Sequence, residues 1–196
     1  MMAKLQVGDK MPSFTFQTES QSGLTTESVL RGGRTVFWVL RYIGCTTCRY
    51  DVHQIAARYG DFQKRGAQVY VVMQSDPAVV REDLKESPLP YHIICDQDQV
   101  IYHTLEIPAT ATKEERMPTS PEDLAKWEAK KQKVKEAGFV HGKYEGNEQQ
   151  LPALFVVDPD GCVIYSHYAK NSIDMPTVEE MLGILDGLSV PPAKKR

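Results

Sequence analysis

The order of apolar runs along the chain constrains its fold more than any other feature. The stretch "TVFWVLRY" at 35–42 is a nearly unbroken β-branched and aromatic run, typical of a strand that is buried on both faces of a sheet. Apolar residues then recur at spacings of three and four over 46–65, which predicts a helix, and "AQVYVVMQS" predicts the next strand. Asp76 and Pro77 suit the N-cap and the first position of a second helix. This alternation predicts an α/β protein with a parallel sheet, in which functional groups collect at the carboxyl ends of the strands.

The middle of the chain carries a less regular pattern. "YHIICD" predicts a fourth, shorter strand, and the largely polar stretch at 106–150 predicts a helical insertion. The main helix of this insertion is predicted at 121–137, because it begins with proline and acidic residues and ends in lysines and a glycine. Since its apolar stripe is thin, we expect it to lie on the surface of the domain, with contact to a partner protein as the alternative.

The last third of the chain reads as a hairpin and a helix. "ALFVVDPDGCVIYSHY" at 153–168 gives a strand, a "DPDG" turn and a second strand, which predicts an antiparallel β-hairpin. An amphipathic helix is predicted from Pro176, and the residues at 189–196 are predicted to form a frayed tail.

Composition narrows the class of protein. A length of 196 residues favours one domain, at 1–196, and the 41% hydrophobic and 25% charged fractions are ordinary for a soluble protein. The formal net charge of −3 gives no field that would attract nucleic acid or an acidic membrane. No stretch approaches the roughly 18 apolar residues of a membrane span, and the start of the sequence lacks an apolar signal segment, so we expect a cytoplasmic location. Four cysteines are too few for a disulfide scaffold, and a reducing compartment leaves them as thiols unless they are catalytic or bind a metal.

Two of these cysteines lie at the corner between a predicted strand and a predicted helix, in "RYIGCTTCRYDV". Cys45 and Cys48 are three positions apart, a spacing that brings side chains on a helix into contact. Free N–H groups and the positive end of the helix dipole favour a thiolate over a thiol at such a corner. We therefore expect Cys45, as the first residue of the corner, to be the more exposed and more acidic thiol and the one that attacks.

Four neighbouring residues are candidates to assist this pair. Thr46 and Thr47 can cap the start of the helix or donate a hydrogen bond to sulfur. Arg41 and Arg49 flank the cysteines with positive charge, which favours the thiolate further.

Three other interpretations of the cysteines have to be weighed. Free cysteine is often a buried, inert core residue, and this would account for Cys95 as well. A zinc site would need two more ligands, and the remaining cysteines and the histidines are scattered singly. Cys162, directly after the "DPDG" turn, could act as a distant resolving thiol. The strand-to-helix corner favours a reactive dithiol over these alternatives, without a metal.

A proline supports the redox interpretation. In "QQLPALFVVD", Pro152 directly precedes a buried strand, where an entry position or a cis turn accepts proline and a strand interior does not. The position leaves both forms open, and together with the family resemblance described next it leads us to expect a cis bond between Leu151 and Pro152.

Three stretches together carry a family resemblance. "VGDKMPSFTFQT", "TVFWVLRYIGCTTCRYDV" and "LPALFVVDPDGCVIYSHY" resemble the alkyl hydroperoxide reductase and thiol-specific antioxidant family, especially its peroxiredoxin-like branch with an R-x-x-G-C-x-x-C-R motif. The resemblance implies a thioredoxin-like fold, with a central mixed sheet of about five strands flanked by helices. It also implies that the backbone of Leu151 and Pro152 faces the dithiol and can pair with an extended substrate.

The function implied by this resemblance has three versions. The first is a thiol-disulfide oxidoreductase of antioxidant type that cycles between the Cys45/Cys48 dithiol and a disulfide without a cofactor. The second is a peroxiredoxin-like peroxidase in which Cys48 reduces hydroperoxides and Cys45 resolves the product. In this sequence Arg41 and Cys45 occupy the positions of that family's active-site proline and threonine. The position of its strand arginine falls near Pro152, so this arginine is absent unless Arg41 or Arg49 substitutes for it, and the first version is preferred. The third is a redox sensor or binding module without catalysis.

The expected partners follow from this chemistry. They are a thiol reductant, either thioredoxin or a low-molecular-weight thiol, and a disulfide or hydroperoxide substrate. The sequence leaves the oligomeric state open, with a homodimer as one option.

Overall fold

The computed structural model describes residues 4–188, so the predicted tail at 189–196 lies outside the described part. The strands of the described part are β1 (Thr15–Phe16), β2 (Leu24–Thr25), β3 (Arg34–Val39), β4 (Ala67–Met73), β5 (His92–Cys95), β6 (Ala153–Val157) and β7 (Val163–Tyr168). The helices there are α1 (Thr26–Leu30), α2 (Thr46–Ala57), α3 (Tyr59–Lys64), α4 (Pro77–Asp83), α5 (Val100–Thr104), α6 (Lys113–Arg116), α7 (Pro121–Glu136) and α8 (Val178–Gly187).

Five strands form the central sheet, in the order β5-β4-β3-β6-β7. β3 pairs parallel with β4, and β4 pairs parallel with β5. β6 pairs antiparallel with both β3 and β7. The predicted mixed sheet, its parallel units and its antiparallel hairpin are therefore confirmed, and the second strand of the hairpin lies at the edge of the sheet. β1 and β2 form a separate antiparallel pair.

The strand β3 is central because both of its faces are apolar. Val36 and Trp38 point into one core cluster, which they share with residues of α2 and α8. Phe37 and Val39, on the opposite face, belong to a second cluster with residues of α1 and α5. Alternate side chains of a strand point to opposite faces, so an unbroken apolar run is buried on both sides. This burial fixes the end of β3 from which the two cysteines follow.

The helix that was predicted over 46–65 is divided into α2 and α3. Its break lies at Arg58, whose backbone angles of φ −115° and ψ 13° are not helical. Gly60 lowers the helix propensity of the segment, and the Arg58 side chain is held by Asp61 at 2.6 Å and by Glu179 at 2.8 Å. The break shortens the cysteine-bearing helix without changing its start.

The helix α7 packs against α2, the helix that carries Cys48. Lys130 Nζ lies 2.7 Å from Asp51 Oδ2, and Val134 is buried. The predicted span of this helix is confirmed to within one residue. Its thin apolar stripe gave no sign that it would pack against the helix that carries Cys48. None of the helices within residues 4–188 has the length and apolar character that a membrane crossing requires.

The loop at 138–150, which follows α7, crosses over the start of α2. Gly142 N donates to Gly44 O at 2.8 Å, directly beside Cys45. A side chain at Gly44 would collide with the backbone of Lys143, so the close approach of the two chain segments depends on glycine at this position. The loop therefore covers the corner that holds the cysteines.

Candidate active site

Cys45 is the N-cap residue of α2. Its extended backbone, with φ −72° and ψ 120°, ends the segment from β3, and its sulfur accepts a hydrogen bond from Cys48 N at 3.4 Å. A sulfur therefore takes the place of the side-chain oxygen that usually accepts from the free N–H groups of a helix start. Thr46 and Thr47 lie inside the helix and do not cap it.

Two further groups contact the Cys45 sulfur. Arg41 Nη2 donates to it at 2.9 Å, and Thr47 Oγ1 lies 3.3 Å from it. The same guanidinium donates from Nη1 to Glu148 O at 2.8 Å. Arg41 thus links the sulfur to the loop at 138–150, and the predicted contributions of Arg41 and Thr47 both involve direct contact with Cys45.

The environment favours one thiolate and one thiol. The hydrogen bond from the Cys48 thiol, the charge of Arg41 and the contact with Thr47 hold the pKa of Cys45 well below its usual range, although burial opposes them. Burial, together with the hydrogen bond and charge of Cys45, raises the pKa of Cys48 well above its usual range. These directions agree with the prediction that Cys45 is the more acidic of the two.

The predicted exposure of Cys45 is wrong. Its exposed fraction is 1%, against 5% for Cys48, so both sulfurs are buried. The reason is the loop at 138–150, which the sequence pattern does not place over the helix start. Both cysteines are free thiols in this structure.

The predicted cis bond before Pro152 is also wrong, because no peptide bond within residues 4–188 is cis. The trans form suits the local hydrogen bonds. Leu151 N donates to Pro108 O at 3.0 Å, and Leu151 O accepts from Gln150 Nε2 at 3.3 Å. Pro152 O accepts from Ala169 N at 3.1 Å. These backbone groups are engaged within the chain, so this geometry lends no support to the predicted role of Leu151 and Pro152 in binding an extended substrate.

Arg49 faces away from the sulfurs. It donates from Nη1 to Val140 O at 3.0 Å and pairs through Nη2 with Asp83. Its contacts therefore tie α2 to the covering loop and to α4. Thr46 lines the open space beside Cys45.

Several residues of this site carry no signal in the local sequence. Tyr42 Oη donates to Glu148 Oε1 at 3.3 Å and lies 3.2 Å from His141 Nε2. The sequence pattern favours a surface or packing role for His141, and no motif singles out Glu148 or Arg116. His141 and Glu148 come from the 106–150 stretch, about a hundred positions from Tyr42, and only the course of the chain brings them to it. Arg116 comes from the same stretch and lines the open space beside Cys45.

The other two cysteines lie elsewhere. Cys95 is buried, and burial raises its pKa to about 12. Cys162 is half-buried, and its backbone forms an isolated antiparallel β-bridge with Lys10. Within residues 4–188, no three His, Cys, Asp or Glu side chains are grouped so that they could hold a metal ion.

A cleft of about 1170 Å³ opens beside Cys45. One wall is the start of α2 with the preceding residues, and the other is built from α6, α7 and the loop at 138–150. The charged and large apolar side chains of its lining, together with Cys45, include Arg41, Lys113, Arg116, Trp127, Lys131, Lys135, Phe139, Val140, Tyr144 and Glu148. Cys45 therefore faces a cleft that is built in large part by the 106–150 stretch.

Several solved structures share this arrangement of elements. A peroxidoxin BcpB from Mycobacterium tuberculosis aligns with a TM-score of 0.68 at 12% identity, over 95% of this chain and 99% of its own. A cysteine-to-serine mutant of peroxiredoxin 6 from Arenicola marina gives a TM-score of 0.69 at 16% identity, over 93% and 72%. A putative thiol:disulfide interchange protein DsbE from Chlorobium tepidum gives 0.58 at 14% identity, over 93% and 99%. The structural similarity establishes the thioredoxin-like fold, and because the identities are low it establishes the fold alone. The search of curated proteins returned no match.

Residues 7–166 match the sequence model of the AhpC/TSA family, which is most of the chain. The match includes both strands of the hairpin nearly to the end of β7, and it includes the Cys45/Cys48 corner. This chain is accordingly a member of the AhpC/TSA family, a thiol-dependent oxidoreductase of the peroxiredoxin-like or thiol-disulfide type.

Proposed function

We propose that the protein is a dithiol oxidoreductase in which Cys45 attacks the oxidant and Cys48 completes an internal disulfide. The observation that carries this proposal is the asymmetry of the pair. The sulfur of Cys45 receives hydrogen bonds from Arg41 and from the backbone of Cys48. For the Cys48 thiol burial is the largest influence and raises its pKa, although the charge of Arg41 acts on it too. A pair of this kind has one nucleophile and one proton-bearing partner next to it.

With a disulfide as the oxidant, two exchange steps follow. The Cys45 thiolate attacks one sulfur of the substrate, which forms a mixed disulfide and releases a thiolate from the substrate. The Cys48 thiol then loses its proton and attacks the Cys45 sulfur, which forms the Cys45–Cys48 disulfide and releases the second substrate thiolate. An external thiol reductant returns the pair to the dithiol, with two electrons transferred per cycle.

With a hydroperoxide as the oxidant, the same pair can act as a peroxidase. The Cys45 thiolate attacks the outer oxygen of the O–O bond, which gives a sulfenic acid on Cys45 and an alkoxide that takes up a proton. Cys48 then condenses with the sulfenic acid, which forms the disulfide and releases water. A specific observation favours this second candidate: Arg41 and Thr47 surround a sulfur that is 1% exposed, so a small oxidant with oxygen acceptors suits the site.

In this candidate the roles of the cysteines differ from the family-based expectation that Cys48 attacks the hydroperoxide. Arg41 Nη2 contacts the Cys45 sulfur, and burial raises the pKa of Cys48. A thiol reacts with peroxide as its thiolate, so the sulfur that is stabilised as a thiolate is the better nucleophile.

The proposal is tested by adding one equivalent of oxidant to the reduced protein and mapping its disulfides by mass spectrometry. We expect a Cys45–Cys48 disulfide with glutathione disulfide or hydrogen peroxide, and the faster of the two reactions names the oxidant. A Cys95→Ala/Cys162→Ser variant is the matched control and should form the same disulfide at an unchanged rate. A disulfide that involves Cys162, or a stable dithiol after both oxidants, would contradict the proposal.

A further inference from the structure

The cleft beside Cys45 is unevenly charged. Five cationic side chains line it, against one carboxylate. The cations are Arg41, Lys113, Arg116, Lys131 and Lys135, and the carboxylate is Glu148. Lys131 pairs with Glu128 at 2.7 Å, but Lys113 and Lys135 form no ion pair with any residue of the described range 4–188. Positive charge on concave walls raises the local concentration of anions.

Arg116 is the most unusual of these cations, because only 7% of it is exposed. It donates from Nε to Gln149 Oε1 at 3.2 Å and from Nη1 to Ser172 Oγ at 2.6 Å, and both acceptors are neutral. No carboxylate within residues 4–188 lies at ion-pair distance from it. The Cys45 thiolate acts on this guanidinium through its charge alone, without a hydrogen bond to it. A buried guanidinium whose hydrogen-bond acceptors are all neutral is unfavourable, and an anion that enters the cleft and accepts from it would offset this cost.

The same cleft offers apolar and aromatic surface. Trp127 and Phe139 line it, together with two large side chains that are unusually exposed, Val140 at 74% and Tyr144 at 62%. Ligand sites in proteins combine apolar walls with a few charged groups that fix the orientation of the ligand. This cleft therefore suits a molecule with an apolar body and an anionic group, which neither hydrogen peroxide nor a neutral thiol possesses.

We infer that the cleft binds a small organic anion, a carboxylate with an apolar body, and presents its oxidising group to Cys45. The carboxylate would be held by Arg116 and the unpaired lysines, and the body would lie against the aromatic side chains. Because Cys45 lines the cleft but is almost fully buried, only a narrow reactive group can reach its sulfur. This inference rests on the proposed function and specifies its substrate, an anionic organic hydroperoxide or an anionic organic disulfide.

Binding can be measured without any redox reaction. Isothermal titration calorimetry of the reduced full-length protein would compare octanoate with 1-octanol, which share a chain length and differ in charge. We expect octanoate to bind about tenfold more tightly, or better, because several cations act on its carboxylate. Equal affinity for the two ligands, or no measurable binding of octanoate, would overturn the inference even if the protein forms its disulfide normally.

Variants locate the carboxylate. A Lys113→Gln/Lys135→Gln variant should weaken octanoate by about fivefold and leave 1-octanol unchanged, since exposed charges each contribute modestly. Lys133→Gln is the matched control, because Lys133 is an exposed residue of α7 outside the lining of the cleft, and it should change neither affinity. An Arg116→Gln variant that keeps its melting temperature should weaken octanoate more than the double lysine variant does. Equal loss of octanoate affinity in Lys133→Gln and the double variant would overturn the assignment to the cleft.

Two oxidation experiments identify whether the anionic substrate is a hydroperoxide or a disulfide. In one, the reduced protein reacts with a fatty acid hydroperoxide or with its methyl ester, which lacks the charge. In the other, it reacts with 5,5′-dithiobis(2-nitrobenzoate) or with the neutral 2,2′-dithiodipyridine. A preference for the anion that disappears in Lys113→Gln/Lys135→Gln would support the inference and name the substrate class. An absence of preference in both experiments would overturn it.

Discussion

Arg41 Nη2 lies 2.9 Å from the sulfur of Cys45, and the other terminal nitrogen of the same guanidinium holds the loop that covers this sulfur. One side chain thus stabilises the nucleophile and limits access to it. The two effects are linked, because a neutral sulfur after oxidation accepts a weaker hydrogen bond from the guanidinium than a thiolate does. Arg41 is therefore the residue whose replacement reports most on the site.

Replacement of Arg41 should raise the pKa of Cys45. A hydrogen bond to a charged group contributes about 1.5–3 kcal/mol, so Arg41→Gln should shift the pKa upward by about one to two units. Arg41→Lys keeps the charge and should shift it less. The measurement is the pH dependence of iodoacetamide alkylation, with Arg31→Gln on the exposed surface as the control. An unchanged alkylation midpoint in Arg41→Gln would show that the helix start alone stabilises the thiolate.

The Cys48 thiol should contribute to the acidity of Cys45 as a hydrogen-bond donor. Cys48→Ser retains a donor at this position, whereas Cys48→Ala removes it. Because a hydrogen bond from the Cys48 side chain lowers the pKa of Cys45, this pKa should be higher in Cys48→Ala than in Cys48→Ser. Absorbance of the thiolate near the ultraviolet cut-off, titrated against pH, measures the difference. Identical midpoints in the two variants would contradict this role for Cys48.

The strand-helix corner is predictable from the sequence because its signals are local. The apolar run of β3, the spacing of Cys45 and Cys48, and the Asp76-Pro77 start of α4 each lie within a few positions of the feature they specify. The cover of the corner is not local. Arg41 and Glu148 are 107 positions apart, and no periodic pattern in 138–150 indicates which surface that loop crosses. The predictions of an exposed Cys45 and of a cis bond before Pro152 are both wrong for this reason, since each property depends on contacts with distant segments.

Gly44 should be needed for the closure of the loop. A Cβ at this position would collide with the Lys143 carbonyl oxygen and would lie 2.8 Å from Lys143 N. Gly44→Ala should therefore lower the free energy of unfolding by about 1–3 kcal/mol, as for other overpacked positions, and make Cys45 more accessible to alkylating reagents. Urea unfolding and alkylation rates measure these effects.

Gly60→Ala is the control for this substitution, because Gly60 lies in the helix α3 and nothing lies within 4 Å of a Cβ at this position. It should be neutral or slightly stabilising. If Gly44→Ala were as stable as Gly60→Ala, with Cys45 no more reactive, the loop would not depend on the close approach at Gly44.

The ion pair between Asp51 and Lys130 should hold α7 on α2. Both side chains are about four-fifths buried, at 22% and 18% exposed, so the loss of one partner leaves the other charge poorly solvated. Lys130→Met should destabilise the protein by about 1–3 kcal/mol, below the range for fully buried pairs. Lys126→Met removes an exposed pair with Glu122 on the same helix and should cost less than about 1 kcal/mol.

A double-mutant cycle with Asp51→Asn separates the pair from its surroundings. The double variant Asp51→Asn/Lys130→Met should be more stable than the sum of the single effects requires, because no charge is left unpaired. Strict additivity would mean that the two side chains do not interact and that α7 is held by apolar contacts around Val134 instead.

The central claim is that Cys45, and not Cys48, is the attacking thiolate, and the pH dependence of alkylation in two variants tests it most directly. A thiol with a lowered pKa is already ionised below the usual range near 8.5, so its alkylation rate rises and levels off at lower pH. The Cys45→Ser variant keeps Cys48, whose thiol should ionise only in alkaline solution. The Cys48→Ser variant keeps Cys45, so it should reach half of its maximal alkylation rate at a pH well below the midpoint of Cys45→Ser. The midpoint is compared, and not the absolute rate, because both sulfurs are buried. A lower midpoint in Cys45→Ser than in Cys48→Ser would contradict the account and make Cys48 the nucleophile.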